Sequence, residues 1–322
     1  MKHPIIKTAA IVLPLLAAAA VASVCLGTYT VSPAETLSIL AGSPSPFSDI
    51  ILHLRIPRTL AAFTAGASLS VSGVLFQSLL KNPLADPYTL GVSGGASFGA
   101  ALAIVTGLSY PFAASSALAG ALITALLIFI FSRSLNADRT SLILGGVAAG
   151  IFFSSAVMLL FSLADSMRVH KALMWLMGDM SLARTEYLAQ TGAACALLVI
   201  SSFFFSHKLN LLSYGQQYAH AAGVSRADSA AVFWIATALA AFSVAMCGIV
   251  SFIGLIVPHI VRRFTGPDHR ILIPAAALAG GAFLPICDSV GRLLARPYEI
   301  PSGVITGFAG GITLLLILRK RN

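Results

Sequence analysis

Residues 54–99 read LRIPRTLAAFTAGASLSVSGVLFQSLLKNPLADPYTLGVSGGASFG. Arg55 and Arg58 stand at the mouth of an uncharged run from Thr59 to Leu80. Such a run is long enough, as a helix, to cross the hydrocarbon core of a bilayer. It ends in Lys81-Asn82-Pro83-Leu84-Ala85-Asp86-Pro87, where two prolines forbid a continuing helix and two charges require water. A second apolar run starts at Leu90. The stretch therefore reads as a helix, a polar turn and a helix that returns. Gly91, Gly95 and Gly99 give the returning helix overlapping small-xxx-small spacings, which let helix backbones approach closely where lipid supplies no hydrophobic drive.

The whole chain shares this character. Of its 322 residues 57% are hydrophobic and 10% charged, against about 25% charged in an ordinary soluble domain. Further uncharged runs fall at roughly Thr8 to Tyr29, Leu90 to Leu108, Phe112 to Phe131, Ser141 to Leu163 and Tyr187 to Phe205. The first follows Lys2 and Lys7 but outlasts a secretory h-region, so it reads as a retained membrane helix. From Ser229 to Val261 no acid, lysine or arginine occurs, which as one helix would be about 50 Å long and cannot fit. Gly248, Gly254 and Pro258 are places to break it, giving a full span to about Ser251 and a short one to about Val261. With Ile273 to Leu294 and Val304 to Leu318 the expectation is an all-α integral membrane protein of about ten spans, one transmembrane domain over residues 1–322. A division after the fifth span leaves an odd number in each half, so an internal 5+5 repeat must be inverted. Gly73 and Gly248 are its expected equivalent positions.

An even number of spans puts both termini on one side. With that side cytoplasmic, segments 1–7, 81–86, 132–140, 206–228, 262–270 and 319–322 carry 13 of the 20 basic residues and 4 of the 11 acids, which accounts for the whole net charge of +9. The positive-inside rule asks for this, and no nucleic-acid role is needed. Residues 164–186 face outward and are too polar to span, yet include the apolar Ala172 to Met177; a short helix at the outer interface or re-entering the membrane fits. Cys25, Cys195, Cys247 and Cys287 all lie in apolar runs without metal-ligand spacing, and the seven histidines form no HExxH or similar pattern. No metal, cofactor or catalytic cluster is expected. Val92-Ser93-Gly94-Gly95 looks like an ATPase signature loop, but the chain has no GxxxxGK[ST] phosphate loop.

The segment 206–228, SHKLNLLSYGQQYAHAAGVSRAD, is the largest cytoplasmic connection. Leu211, Tyr214, Tyr218 and Ala222 recur at helical steps, Gly223 stops the pattern, and Ser225 with Asp228 makes a capping box for the next span. A short amphipathic helix is expected, its apolar side turned to a partner or to the chain's own membrane domain.

LRIPR and NPLADP, together with Gly254-Leu255-Ile256-Val257-Pro258-His259, Asp288 with Arg292, and Glu299-Ile300-Pro301-Ser302-Gly303, resemble the permease subunits of type II ABC importers for iron chelates, haem and vitamin B12. The resemblance implies a homodimer in the inner membrane, driven by cytoplasmic ATP-binding subunits, fed by an external substrate-binding protein and performing no covalent chemistry itself. It implies that Arg55, Arg58 and Arg292 receive carboxylates of the binding protein. Asn82, Leu84, Thr140 and Ser141 would form a cytoplasmic gate, although Thr140 or Ser141 could equally cap a helix. Segment 206–228, with Leu211, Leu212, Tyr214, Gly215, Tyr218, Ala222 and Gly223, would be the coupling element seated on the ATPase. Gln216 and Gln217 depart from the acidic residues expected there, and Ile312-Thr313-Leu314 from the Pro and Phe that usually follow Gly310-Gly311. Ferric siderophore ranks first as substrate, with haem and cobalamin in the same class. The competing class, an ion-coupled transporter, usually keeps ionisable residues at mid-membrane, and here only Asp288 comes near, toward the outer end of its span.

Overall fold

The computed structural model describes residues 2–27, 29–134, 139–182 and 185–319. In chain order the helices are α1 (Lys2–Cys25), α2 (Pro33–Leu40), α3 (Ile56–Leu80), α4 (Val92–Val105), α5 (Tyr110–Ser134), α6 (Arg139–Leu163), α7 (Ser166–Leu176), α8 (Thr185–Phe204), α9 (Ser206–Tyr214), α10 (Gln216–Ala221), α11 (Arg226–Cys247), α12 (Ile253–Thr265), α13 (His269–Leu294) and α14 (Ser302–Arg319). Among the described residues there is no strand. A π-helical turn, Ile50–Arg55, runs directly into α3. Lys320, Arg321 and Asp138, counted above in the charge balance, lie outside the described residues.

Ten helices fall on the ten expected runs: α1, α3 to α6, α8 and α11 to α14. Six of them are long and apolar enough to cross a membrane outright: α3 with its leading turn, α5, α6, α8, α11 and α13. Two of the other four are short outright. At 14 and 13 residues α4 and α12 rise only about 20 Å, well under the ~30 Å hydrocarbon core.

The long uncharged run breaks as its length demands, but at one of the three expected places. Helix α11 stops at Cys247, Gly248 takes φ +72°, and α12 starts after Phe252. Gly254 and Pro258 lie inside α12 and continue it to Thr265, past the expected end at Val261. Pro258 has no N–H for the carbonyl of Gly254 four residues back. The buried Gln77 of α3 replaces it, donating from Nε2 to Gly254 O at 3.1 Å. Gly254 is small for another reason: α3 crosses α12 there, and a Cβ on Gly73 would strike the Gly254 carbonyl.

Helix α3 is the hub of the bundle, packed on α13, α11, α12 and α8 and buried over most of its length. Gly66 and Gly280 form its crossing with α13, each filling the space where the other's Cβ would stand. The glycines of α4 act as their spacing suggests. Gly95 and Gly99 lie against Gly120 and Ser116 of α5, and Gly91 lies against Gly146 of α6. Helix α7 occupies the outward segment, N-capped by Asp165, whose carboxylate accepts from Arg168 N at 3.0 Å. Its end tucks into the α11–α12 break, with Trp175 2% exposed and Gly178 against Ile249 O.

Much of the packing follows the exchange an inverted repeat requires, although α1 and α8 depart from it: α1 packs on α13 and α8 on α3, while α8 on α5 and α1 on α11 make no comparable contact. Exchanging each helix of the first five spans with its counterpart five spans later maps the pair α3·α13 onto α11·α5, α4·α5 onto α12·α13, α4·α6 onto α12·α14, and α3·α12 onto α11·α4, and all eight pairs are in contact. The two short helices, α4 and α12, are counterparts. The expected glycine match is not. Gly73 lies within α3 at a helix crossing, whereas Gly248 follows the last residue of α11.

Candidate functional sites at the two membrane faces

On the face expected to be outward, the last turn of α1 and the residues after it leave carbonyls without helical partners, and arginines collect on them. Arg55 donates to Val24 O at 2.9 Å, Cys25 O at 3.1 Å and Tyr29 O. Arg292 donates to Leu26 O at 3.0 Å and Ser23 O at 2.8 Å. Arg296, which the sequence reading passed over, donates to Gly27 O at 2.6 Å. Arg55 and Arg292 are 7% and 4% exposed, so both guanidiniums are turned into the chain rather than toward solvent.

Arg58 and Arg292 meet on one carboxylate, while Arg55 stands apart from it. Asp288, 1% exposed, accepts from Arg58 Nε and Nη2 at 2.9–3.2 Å and from Ser302 Oγ at 2.7 Å, and its Oδ2 lies 3.1 Å from Arg292 Nε. Arg58 also reaches Glu299 Oε2 at 2.7 Å, and Glu299 remains 41% exposed. A buried carboxylate needs such a shell of donors to stay charged. Asp288 thus ties α3, α13 and the start of α14 together, the structural role its spacing from Arg292 suggests.

On the opposite face, Asn82 Oδ1 accepts from Leu84 N at 2.9 Å and closes the turn after α3. Both residues are half-buried. Asp86 closes the next turn, accepting from Tyr88 N at 2.9 Å, and burial pushes its carboxyl up to about 6 against that bond. Thr140 is exposed and Ser141 half-buried in the first turn of α6, and the turn Pro87–Leu90 packs on the same helix at Gly146.

The 206–228 segment corrects an expectation. It folds as two short helices, α9 and α10, broken at Gly215 with φ +137°, rather than as one. Gly223, at φ +90°, ends it as expected, and both bonds of the Ser225–Asp228 capping box form. The side of the segment that faces inward also differs. Leu209, Leu212, Ala219 and Val224 are buried against the bundle. Tyr214, Tyr218 and Ala222 are exposed, Leu211 and Gly215 are half-buried, and the two tyrosine rings pair at 5.7 Å. Gln217 is exposed beside them; the Gln216 side chain lies outside the described residues. Behind this segment Asp268 accepts from Asn210 Nδ2 at 2.8 Å and Arg270 N at 3.0 Å. Burial works against its charge, but those bonds hold its carboxyl below the usual range.

Six helices long and apolar enough to cross a membrane, with shorter apolar helices packed among them, define a multi-pass membrane protein. Residues 15–320 match the FecCD transport family, and the chain belongs to it. It is 37% identical to the hemin transport system permease protein HmuU of Yersinia pestis over 84% of each chain. It is 35% identical to the cobalamin import system permease protein BtuC of Halobacterium salinarum, over 90% of this chain and 79% of that one. Among solved structures, an inward-facing chain of a metal-chelate type ABC transporter superposes with a TM-score of 0.85 at 30% identity, covering 98% of this chain and 99% of the other. The protein is a permease of an ABC importer, a transport subunit rather than an enzyme.

Proposed function

We propose that the chain carries a ferric siderophore across the inner membrane as one half of a homodimer, with both termini cytoplasmic. The observation that carries the substrate reading is the likeness, along nearly the whole chain, to the metal-chelate type transporter. Support for the dimer comes from α6, whose Leu144, Ile151, Phe152, Met158 and Leu163 are all more than half exposed. The binding protein docks on the outer cluster. The half-open Glu299 and the outer edge of Arg58, already paired with it and with Asp288, form the part of the cluster open to that protein, while Arg55 and Arg292 shape the surface by holding the end of α1. The ATPase takes the face made by Tyr214, Tyr218 and Ala222 around Gly215. Asn82, Leu84, Thr140 and Ser141 close the path at its inner end.

The test is uptake into vesicles that hold this chain with its cognate ATPase and binding protein, comparing labelled ferric siderophore, haemin and cobalamin with and without ATP. ATP-dependent accumulation of the siderophore is expected. Accumulation of haemin or cobalamin alone would replace the substrate, and uptake that ignored ATP and followed an ion gradient would overturn the mechanism.

A further inference from the structure

A chain of side-chain hydrogen bonds crosses the inner end of the bundle. His269, 2% exposed in the first turn of α13, has its ring between α9 and α3. Nδ1 lies 2.7 Å from Asn210 Oδ1, and Nε2 lies 2.5 Å from Ser78 Oγ. The neighbours fix the direction of the first bond. The backbone N–H of His269 also meets that Asn210 atom, at 2.9 Å, and the other end of the amide meets the Asp268 carboxylate. The first atom is therefore the amide oxygen, which only accepts. Nδ1 must carry the ring proton, and a neutral ring then leaves Nε2 bare to accept the Ser78 hydroxyl, whose single proton it shares with Val74 O, 2.7 Å from the same oxygen.

The three residues belong to elements with separate jobs. Asn210 sits in α9, inside the segment proposed to seat the ATPase. Ser78 sits in the last turn of α3, and the bend that follows hangs from that turn. Lys81 N donates to Ser78 O at 3.4 Å and Asn82 N to Gln77 O at 3.2 Å. Ser78 and His269 are almost fully buried, where bonds of this kind are stiff because water cannot replace a broken partner.

We infer that Asn210, His269 and Ser78 are positioning residues that carry a displacement of α9 to the end of α3 and so to the Asn82 turn. This rests on the reading of 206–228 as the ATPase seat. A shift of α9 of about 1 Å exceeds the tolerance of a hydrogen bond, so α3 must follow α9 or the chain of bonds must break. Gln77, the neighbour of Ser78, holds the same turn of α3 to Gly254 of α12, so the turn is gripped from two sides.

Hydrogen exchange on the assembled complex, with and without ATP, tests the link. Thr and Val have the same shape and differ by the hydroxyl, so Ser78→Thr and Ser78→Val separate the bond from packing. In the parent and in Ser78→Thr, ATP changes exchange both in 206–221 and in 78–90. In Ser78→Val the change at 206–221 persists, ATP hydrolysis stays within about twofold, and the change at 78–90 shrinks at least threefold. Equal responses at 78–90 in Ser78→Thr and Ser78→Val would overturn the link while leaving the ATPase seat standing. A parent complex in which ATP leaves 206–221 unchanged would remove the seat, and the link with it.

Discussion

Single residues at the two faces carry opposite kinds of electrostatic cost. Asp288 is buried with its partners in place, and removing its charge leaves Arg58 with Glu299 as its one carboxylate and Arg292 with none. Asp288→Asn should therefore destabilise the protein by about 3–5 kcal/mol, read as a lower melting temperature in detergent. A drop no larger than that of a surface control would show that Arg58 and Arg292 find other partners. Asp86 is the reverse, a buried carboxyl with one backbone donor and no cation recorded against it. Its folded value near 6 stands above the ordinary 3.8, so its cost is fully present above about 6 and fades as pH falls toward 4. Asp86→Asn keeps the acceptor for Tyr88 N and removes the charge. It should raise stability at neutral pH by up to about 3 kcal/mol and leave it unchanged near pH 4. Melting curves across that range check it; a gain independent of pH would place the effect elsewhere than in the charge.

At the scale of elements, the crossing of α3 and α12 rests on missing atoms. Where α3 meets α12, Gln77 stands in for the N–H that Pro258 lacks. Gln77→Leu should cost about 1–3 kcal/mol by stranding the Gly254 carbonyl. In a Pro258→Ala background, where residue 258 regains its N–H, the same change should cost about 1 kcal/mol less. A double-mutant cycle by thermal or denaturant unfolding measures that difference, and no coupling would mean the carbonyl is satisfied some other way. Gly73→Ala should abolish folded protein, since the new Cβ strikes the Gly254 backbone. Gly145→Ala, in open space on α6, should leave expression unchanged or improve it by up to about 1 kcal/mol of helix propensity.

For the molecule as a whole, hydropathy made the apolar helices legible, because lipid acts on composition alone, and charge supplies the expected sidedness through the positive-inside rule. Length forced a break between Ser229 and Val261 and named Gly248 as one candidate, but choosing it needed the backbone, since Gly254 turned out to serve close packing. The partner of Arg58 lies 230 residues away, beyond any spacing argument. In the 206–228 segment the helical steps were readable and the direction they face was not, because a short apolar pattern says only that some surface will cover it. Sidedness can be tested without transport. Residue 49 follows the first span and residue 217 the sixth, so five spans separate them and they must lie on opposite sides. Asp49 has a side chain 97% exposed, Gln217 is exposed, and the four native cysteines are at most 6% exposed. A membrane-impermeant maleimide should label Asp49→Cys in right-side-out vesicles and Gln217→Cys only in inside-out ones. The reverse pattern would invert the topology and the charge argument with it. Labelling of both from one side would require an even number of spans between them, which no assignment of ten helices to ten spans allows.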